Sequence, residues 1–584
     1  MTGSSDIKLG FIIKNEDSNE ALYFSQGKLC YGTNYNAGDL AYFYIQSEVG
    51  FLVADNKILF IIGARTCDGK ASICELSSRQ FLSSNPSQRN KPGGANFNRE
   101  KVSSWEQFTT EKISEIPSWL DYYFLALSTN SIDLVFDRIS AGHHVDIPFL
   151  SYILSTNNGA SVDNALTKRL DDNLFLQGVL KLAGGNYLIT PLINGILDGG
   201  SDNRPIVIGQ DRDIYGRGID IRNPWLIINT AIRRNIRKLG KCCIVATARN
   251  EGVYLIEWIA YHLELGFEKI FLYTNNNQDG SLDLLRALHS SGHVELIESD
   301  VGGGGNAQVK AYTHALLAHA KVNTYEWCAF IDVDEFISYD KTRFHSLADY
   351  MNWVGATGAD VVALSWVLAS NHIESSNWTH ERVTKRIIRR SPFQSNLIKC
   401  IARPEKAVMS GPHYPISSNG CALAIVDSER RRYDYERLDN PFDITRAATP
   451  TFKNLYLYHF EMKSFAELIW KYSRNRGNYS AVNDDIHLND HFMDRVGHFR
   501  KCLDNGRTEH IHLSVDANTL DRKIEDLMAQ NGVSVANNTI LRLTDERYQR
   551  LLQYLPIYLK TQVSETRLHP ARDWISINFL DKTP

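Results

Sequence analysis

Cysteine is sparse in this chain of 584 residues: nine, at positions 30, 67, 74, 242, 243, 328, 400, 421 and 502, with no Cys-x-x-Cys unit among them. No disulfide framework is legible in that scatter. Cys242, Cys243 and Cys328 fall inside apolar, strand-like runs, so buried reduced thiols and a reducing compartment are expected. An excess of one charge is also lacking. Sixty-three basic residues stand against 67 acidic ones, a net charge of −4. That balance excludes a general nucleic-acid binder, though not a local nucleotide site. No stretch approaches the roughly 18 apolar residues that a membrane span needs. The opening MTGSSDIKLG has neither a charged n-region nor an apolar h-region, so no signal peptide is expected. A cytoplasmic location follows as the expectation, compatible with peripheral recruitment to a membrane surface, and the sequons at Asn377, Asn478 and Asn537 then read as chance.

What is present is an ordinary soluble composition, 43% hydrophobic and 22% charged, in a chain too long for one core. Residues 1–114 hold short β-like runs separated by Gly, Asn and Ser, in three imperfect copies of one unit beginning near Ala21, Gly50 and Gln80. Repeats of short strands must pack against their own copies to bury a face, which predicts an all-β body; a generic β-sandwich is the alternative. Residues 115–240 read as a mixed α/β connecting region ending in a helix over Leu226–Lys238. From 241 to 480 strands alternate with helices, which predicts βαβ units and a parallel sheet. Residues 481–584 read as a helical C-terminal appendage.

The densest chemistry lies at Trp327-Cys-Ala-Phe-Ile-Asp332-Val-Asp334-Glu335-Phe336, an apolar run that ends abruptly in acids. Open α/β sheets bind ligands at the carboxyl ends of their strands, and residues i and i+2 of an extended chain point the same way. Two carboxylates converging there would repel, and Mg²⁺ or Mn²⁺ shared with substrate phosphates relieves that repulsion. Taken alone, Asp-x-Asp is more often a pair of solvated acids. Thr247-Ala-Arg249-Asn250-Glu251 follows the first strand of this half and suits a bound nucleotide. Thr274-Asn275-Asn276-Asn277-Gln278-Asp279-Gly280-Ser281 follows the second, where its amides suit imide and hydroxyl edges as well as they suit a turn and helix cap. Gln308 and Tyr312 share a helix face after Gly302–Gly305. Leu397–Pro404 and Gly411–Pro415 are expected to be loops carrying basic groups and His413. His459, after an aromatic strand, is a core residue or a third metal ligand, and Lys463, Lys471, Arg474 and Arg476 form either a solvated basic face or a clamp for a pyrophosphate.

The ordered set ARNE, YTNNNQDGS, IDVDEF, IKCIARP, GPH and YHFEMKSFAELIWKYSRNRG resembles nucleotide-sugar glycosyltransferases of the GT-A fold, nearest to glycosyltransferase family 92 and its bacterial family-2-like relatives, over about residues 240–480. The N-terminal segment resembles a fascin-like β-trefoil. The resemblance implies a Rossmann-like GT-A domain over 241–480, behind a β-trefoil-like glycan-binding domain over 1–114. It implies Asp332, Asp334 and His459 as ligands of Mn²⁺ or Mg²⁺. Thr247, Arg249, Asn250, Glu251, Asn275, Asn277, Asp279 and Gln308 would line the donor pocket, and Lys463, Arg474 and Arg476 would face the leaving diphosphate. The implied reaction is an inverting transfer from a donor of UDP-sugar type to a glycan, glycolipid or protein hydroxyl. Such a displacement needs a base; Glu374 is the candidate, with Asp427 and Glu381 behind it. The alternatives are a lectin-like protein with a degenerate transferase domain and a nucleotidyltransferase, although the Gly-rich basic loop of the latter is missing after the first strand.

Overall fold

The computed structural model describes residues 8–580 apart from 16–19, 27, 34–35, 37–38, 47–48, 68–69, 85–89, 93–94, 102–107, 114, 200–203, 218, 220–222, 303–305, 371–376, 393, 418–421, 436–444, 475–486, 489–490, 504–508 and 562–568. The chain divides into two compact units, Met1–Asn186 with Arg222–Asn235, and Tyr187–Ile221 with Ile236–Pro584.

The first unit opens with ten strands: β1 (Lys8–Asn15), β2 (Glu20–Ser25), β3 (Lys28–Gly32), β4 (Tyr42–Gln46), β5 (Val49–Ala54), β6 (Lys57–Cys67), β7 (Lys70–Glu75), β8 (Gln80–Ser84), β9 (Ala95–Arg99) and β10 (Phe108–Ile113). Antiparallel pairing runs β1–β4–β5–β6–β7–β10 and returns from β10 to β1, so six strands close a ring. Closure removes the open edges that a flat sheet would expose. Inside sit Ile13, Leu22, Phe43, Leu52, Ile62, Ile73 and Leu82. Hairpins β2–β3 and β8–β9 interrupt the ring between its strands. Between β5 and β6 there is instead a two-residue turn at Asp55 and Asn56, both with positive φ (51° and 54°), the geometry that a tight hairpin requires. The described residues therefore form two strand–hairpin–strand units, where the repeat in the sequence predicts three.

Helices Leu120–Thr129, Ile132–Ser140, Ile147–Thr156, Gly159–Thr167, Asn173–Ala183 and Pro224–Asn235 complete the first unit. Phe51 of β5 packs against Phe124 and Phe149, with ring centroids 4.9 and 6.0 Å away. Among its described residues the region read as mixed is chiefly helical, with the short strand Ile206–Ile208 as its β element. Its short amphipathic pieces begin at side-chain caps such as Ser131, Asn158 and Asp172, each accepting a hydrogen bond from a backbone N–H of the following turn.

The second unit is built on a twisted sheet flanked by helices. Its strands are β11 (Ile206–Ile208), β12 (Gly240–Ala248), β13 (Lys269–Thr274), β14 (Val294–Ser299), β15 (Tyr325–Phe330), β16 (Glu335–Tyr339), β17 (Val361–Leu368), β18 (Ile398–Ala402), β21 (Ile425–Asp427) and β22 (Leu455–His459), with β19 (Ala407–Ser410) and β20 (Pro415–Ser417) as a separate pair. The order is β11-β14-β13-β12-β15-β18-β17-β22-β16, and every pair from β11 to β15 is parallel. Burial on both faces explains their near-continuous apolar sequences. The sheet is not parallel throughout, because β18 runs antiparallel to both β15 and β17. β18 also corrects an expectation: residues 398–402 form a wholly buried strand and not a loop. Lys399 made the segment look exposed, yet its ammonium is buried against acids, and a paired lysine is compatible with a strand interior.

The helix Gly252–Leu265 fixes the strand that follows the acidic motif. Trp258 Nε1 donates to the Glu335 carbonyl at 2.8 Å and Tyr261 Oη to that of Ile337 at 2.8 Å. The C-terminal helices Phe492–Lys501, Ala517–Met528 and Val533–Thr561 contribute Phe492, Val496, Leu520, Leu527, Ile540 and Leu551 to the same core as β12 and β15. They are integral to this unit. Among the described residues no helix is long and apolar enough to cross a membrane.

Candidate active site

Four parallel strands end at one place. The last residues of β12 (Thr247, Ala248), β13 (Tyr273, Thr274) and β14 (Ser299), together with Asp332 and Asp334 just past β15, line a cavity of about 280 Å³. Arg249, Glu251, Asn275, Gln308, His459, Glu461 and Lys471 complete its wall. This is the position where the connections of a parallel sheet leave a crevice.

Asp332 is held on both oxygens: Gln308 Nε2 donates to Oδ1 at 2.8 Å and Lys399 Nζ to Oδ2 at 2.8 Å. Its backbone N–H donates to Glu335 Oε2 at 2.9 Å, and Glu335 is itself fully buried, 3.7 Å from Lys399. Burial pushes the Glu335 carboxyl up to about 7, with Lys399 working against the rise. Burial likewise opposes the charge of Lys399, but Asp332 and Glu335 hold its ammonium above the ordinary lysine range. Asp334 faces three cations: Lys471 Nζ at 3.0 Å, His459 Nε2 at 3.4 Å and Lys463 Nζ at 3.9 Å. Against the cost of burial, those charges keep Asp334 well below the usual carboxylate range. The same carboxylate raises His459, whose burial alone would lower it.

The loops after β12 and β13 lock each other. Asn250 N–H donates to Asn277 Oδ1 at 2.9 Å, Gln278 N–H to Asn250 Oδ1 at 2.7 Å, and Gly252 N–H to Asp279 Oδ2 at 2.8 Å. Arg474 Nη2 donates to Glu251 Oε1 at 2.7 Å, and Nη1 donates to the Asn250 carbonyl. Left-handed backbone at Asn250 and Asn276 (φ 54° and 47°) lets both loops turn this sharply. Asn250, Asn277 and Asp279, expected to touch a nucleotide, are therefore committed to loop architecture and are absent from the cavity wall. Arg474 likewise acts on the loop and is not a lining residue. Thr247, Arg249, Glu251, Asn275, Gln308, Asp332, Asp334 and His459 do line the cavity, and Lys463 reaches it only through Asp334. Glu374 and Arg476 lie outside the described residues. Asp427 accepts from Arg431 Nε at 2.7 Å and lines a different cavity.

Among the described residues, buried polar atoms of this wall without a hydrogen-bond partner include Asn275 Nδ2, Ser299 Oγ, Glu251 Oε2 and His459 Nδ1. A donor, a hydroxyl and an acceptor left unsatisfied around one cavity call for a polar ligand or water. Ser299 and Lys471 joined the site through the fold. Ser299 carries no motif and was findable only as the last residue of a strand, while Lys471 was legible in the sequence only as one of the basic cluster that could clamp a pyrophosphate.

The acids fit a divalent cation in one specific sense. Two carboxylates facing one cavity supply hard oxygen donors, as Mn²⁺ and Mg²⁺ require. Among the described residues, however, no group of three His, Cys, Asp or Glu side chains is arranged to hold a metal ion. Coordination by the protein alone is incomplete, and phosphate oxygens of a substrate would have to fill it. His459 must give up the proton that Asp334 favours before it can act as a ligand.

Residues 242–466 match the model of glycosyltransferase family 92. A glycosyltransferase family 92 protein of Ricinus communis is 35% identical over 146 residues, covering 20% of this chain and 26% of its own length. One from Oryza sativa subsp. japonica is 31% identical over 103 residues, covering 18% and 17%. A beta-1,4-galactosyltransferase of Caenorhabditis elegans is 26% identical over 213 residues, covering 33% of this chain and 48% of its own. The chain thus spans less than half the length of these relatives. Among solved structures, glucosyl-3-phosphoglycerate synthase from Mycobacterium tuberculosis, in complex with Mn²⁺, UDP and glucosyl-3-phosphoglycerate, is 14% identical over 32% of this chain and 63% of its own, at a TM-score of 0.17. The family match and the relatives named as glycosyltransferases support a transferase enzyme.

Proposed function

We propose that the second unit is a GT-A-type glycosyltransferase domain that moves a sugar from a nucleotide donor of UDP type to a hydroxyl acceptor with inversion. The observation that carries this reading is the cavity at the ends of β12, β13, β14 and β15, where two acids meet unpartnered polar groups. Asn275 and Ser299 offer hydrogen bonds to base and ribose, and Arg249 lends positive charge beside them. Asp332 and Asp334, with His459 as a third ligand once it has lost its proton, would hold a divalent ion, which would supply Lewis-acid stabilisation of the charge on the leaving group. Gln308 and Lys399 orient Asp332, and Lys463 and Lys471 orient Asp334. Lys471, at the cavity wall, stabilises the departing diphosphate by charge.

The acceptor hydroxyl must lose a proton. Glu461 is a poor base, because burial is outweighed by the hydrogen bond from His498 and its carboxyl sits at about 2. Glu251 is engaged by Arg474. Glu374 therefore remains the proposed base. The closed β-ring of the first unit, trefoil-like in two of its three parts, is proposed to hold the glycan acceptor, and the whole protein to act in the cytoplasm.

Turnover of a panel of nucleotide sugars by the full-length protein, with Mn²⁺ and with chelator, tests the assignment. Release of nucleoside diphosphate from at least one donor, lost in Asp334→Ala, is the expected result. Binding of neither donor nor UDP at millimolar concentration would leave a glycan-binding protein in its place.

A further inference from the structure

On the outer side of the interlocked loops lies a second, separate cavity of about 160 Å³. It is walled by Asn250 and Gln278 from the loops, Trp470 and Arg474 near the end of the helix Phe465–Ser473, and Arg547 and Arg550 from the long helix Val533–Thr561. None of these six residues lines the first cavity. Three are deeply buried: Trp470 is 2% exposed, Asn250 5% and Arg474 8%. Among the described residues, Trp470 Nε1 is a buried donor without a hydrogen-bond partner. Arg547 is fixed in place, its Nη2 donating to the Ser473 carbonyl at 2.9 Å. Arg550 is exposed and has no ion-pair partner among the described residues.

The acids at this cavity are already engaged. Asp279 accepts from Gly252 N–H on one oxygen and from Ser281 on the other, and Glu546 pairs with Arg542 at 2.7 Å. Donors thus dominate: the indole N–H of Trp470 and the guanidinium groups of Arg547 and Arg550 line a space large enough for a tetrahedral oxyanion. Arg474, already donating to Glu251 and Asn250, adds positive charge. Guanidinium forks and an indole N–H match the acceptor oxygens of a phosphate, and buried donors left unmatched are costly.

We infer that this cavity is an anion site for a phosphate group, distinct from the donor cavity. Its occupant sits on Arg474, the residue that holds Glu251 and the Asn250 carbonyl, so binding there stiffens the loop that forms one wall of the donor site. The phosphate comes either as the free ion or as the phosphoryl group of a larger metabolite such as a sugar phosphate.

Calorimetric titration of the full-length protein with inorganic phosphate, and separately with glucose 1-phosphate, tests the site and identifies the source. Saturable binding of the free ion identifies inorganic phosphate; binding of the sugar phosphate alone identifies a phosphomonoester. Arg550→Gln and the charge-reversed Arg550→Glu change an exposed side chain and leave the fold intact, as thermal melting would verify. Each weakens the anion at least about tenfold, the scale of one charge-assisted hydrogen bond, while UDP affinity stays within about twofold. Absence of binding in the parent protein, binding unaltered in Arg550→Glu, or full displacement of the anion by UDP would each overturn the proposal. Loss of UDP binding alone would instead count against the transferase assignment and leave this site standing.

Discussion

The two units each carry a ten-stranded sheet and use it differently. In the first, six strands close on themselves and the interior is filled by Phe43, Leu52, Ile62 and their neighbours. In the second, the sheet stays open, and the ends of four parallel strands leave polar residues facing one cavity. Buried charge is concentrated in the second unit, although the first also buries Arg233 and Asp146. Glu335, Lys399, Lys463, Asp334 and Glu467 are all sequestered in the second unit, in pairs or networks. Buried ionic groups seldom add stability over apolar ones, so their concentration marks a place where charge serves chemistry.

That contrast breaks most decisively at Asp334. Asp334→Ala removes the common partner of Lys463, Lys471 and His459 and is expected to lower donor turnover at least about a hundredfold. Phe43→Ala in the closed ring should cost about 3–5 kcal/mol of stability through a cavity, with turnover per folded molecule unchanged. Equal loss of turnover in both variants would mean that the units do not divide labour in this way. Denaturant unfolding alongside donor hydrolysis reads both quantities.

Next in size is the network under the donor loops. Glu467 caps its own helix by a reciprocal pair with Ser464, accepts from Arg386 at 2.9 and 3.1 Å, and receives the Tyr254 hydroxyl at 3.1 Å. Glu467→Gln keeps the shape but leaves the Arg386 guanidinium without its counter-charge, and should destabilise by about 3 kcal/mol. Asn275→Ala tests the unsatisfied donor of the cavity. It is expected to raise the donor's KM by about tenfold, or about 1.4 kcal/mol, with kcat nearly constant, because a base or ribose contact is equal in ground and transition states. A fall in kcat at constant KM would move Asn275 to the reacting end.

Much of this was legible in the chain. The apolar runs at 242–246, 269–273, 294–297 and 327–331 all became strands of the open sheet, since burial on both faces writes a continuous hydrophobic signature. Asp332 and Asp334 reached a strand end for the same reason. The amides of 275–279 were harder. The same residue types serve a nucleotide or a turn, and only the fold shows Asn275 at the cavity while Asn277 and Asp279 hold backbone N–H groups. Lys399 disguised a buried strand because its partner acids lie 67 and 64 residues earlier in the chain, a pairing that no local pattern can carry. The missing hairpin between β5 and β6 was hidden too, since weak repeats register a strand's sequence and not what joins it to the next.

The smallest expected effect lies at the rim of the charged region. His498 is 3.5 Å from Glu461 and 3.8 Å from Cys502 Sγ, and hydrogen bonds to both raise it to about 9, against a modest cost of burial. A folded-state value above the ordinary 6.5 means that the imidazolium stabilises the fold fully at pH below about 6.5. Between pH 6.5 and 9 the folded form keeps a proton that the unfolded chain has released, so the contribution declines and is gone above 9. His498→Gln should therefore cost about 1 kcal/mol at pH 6 and close to nothing at pH 9.5, flattening the alkaline limb of the stability profile. No residue of the closed ring should reproduce that pH signature, and an unchanged profile in His498→Gln would show that the rim charge contributes nothing to holding the open sheet's last elements together.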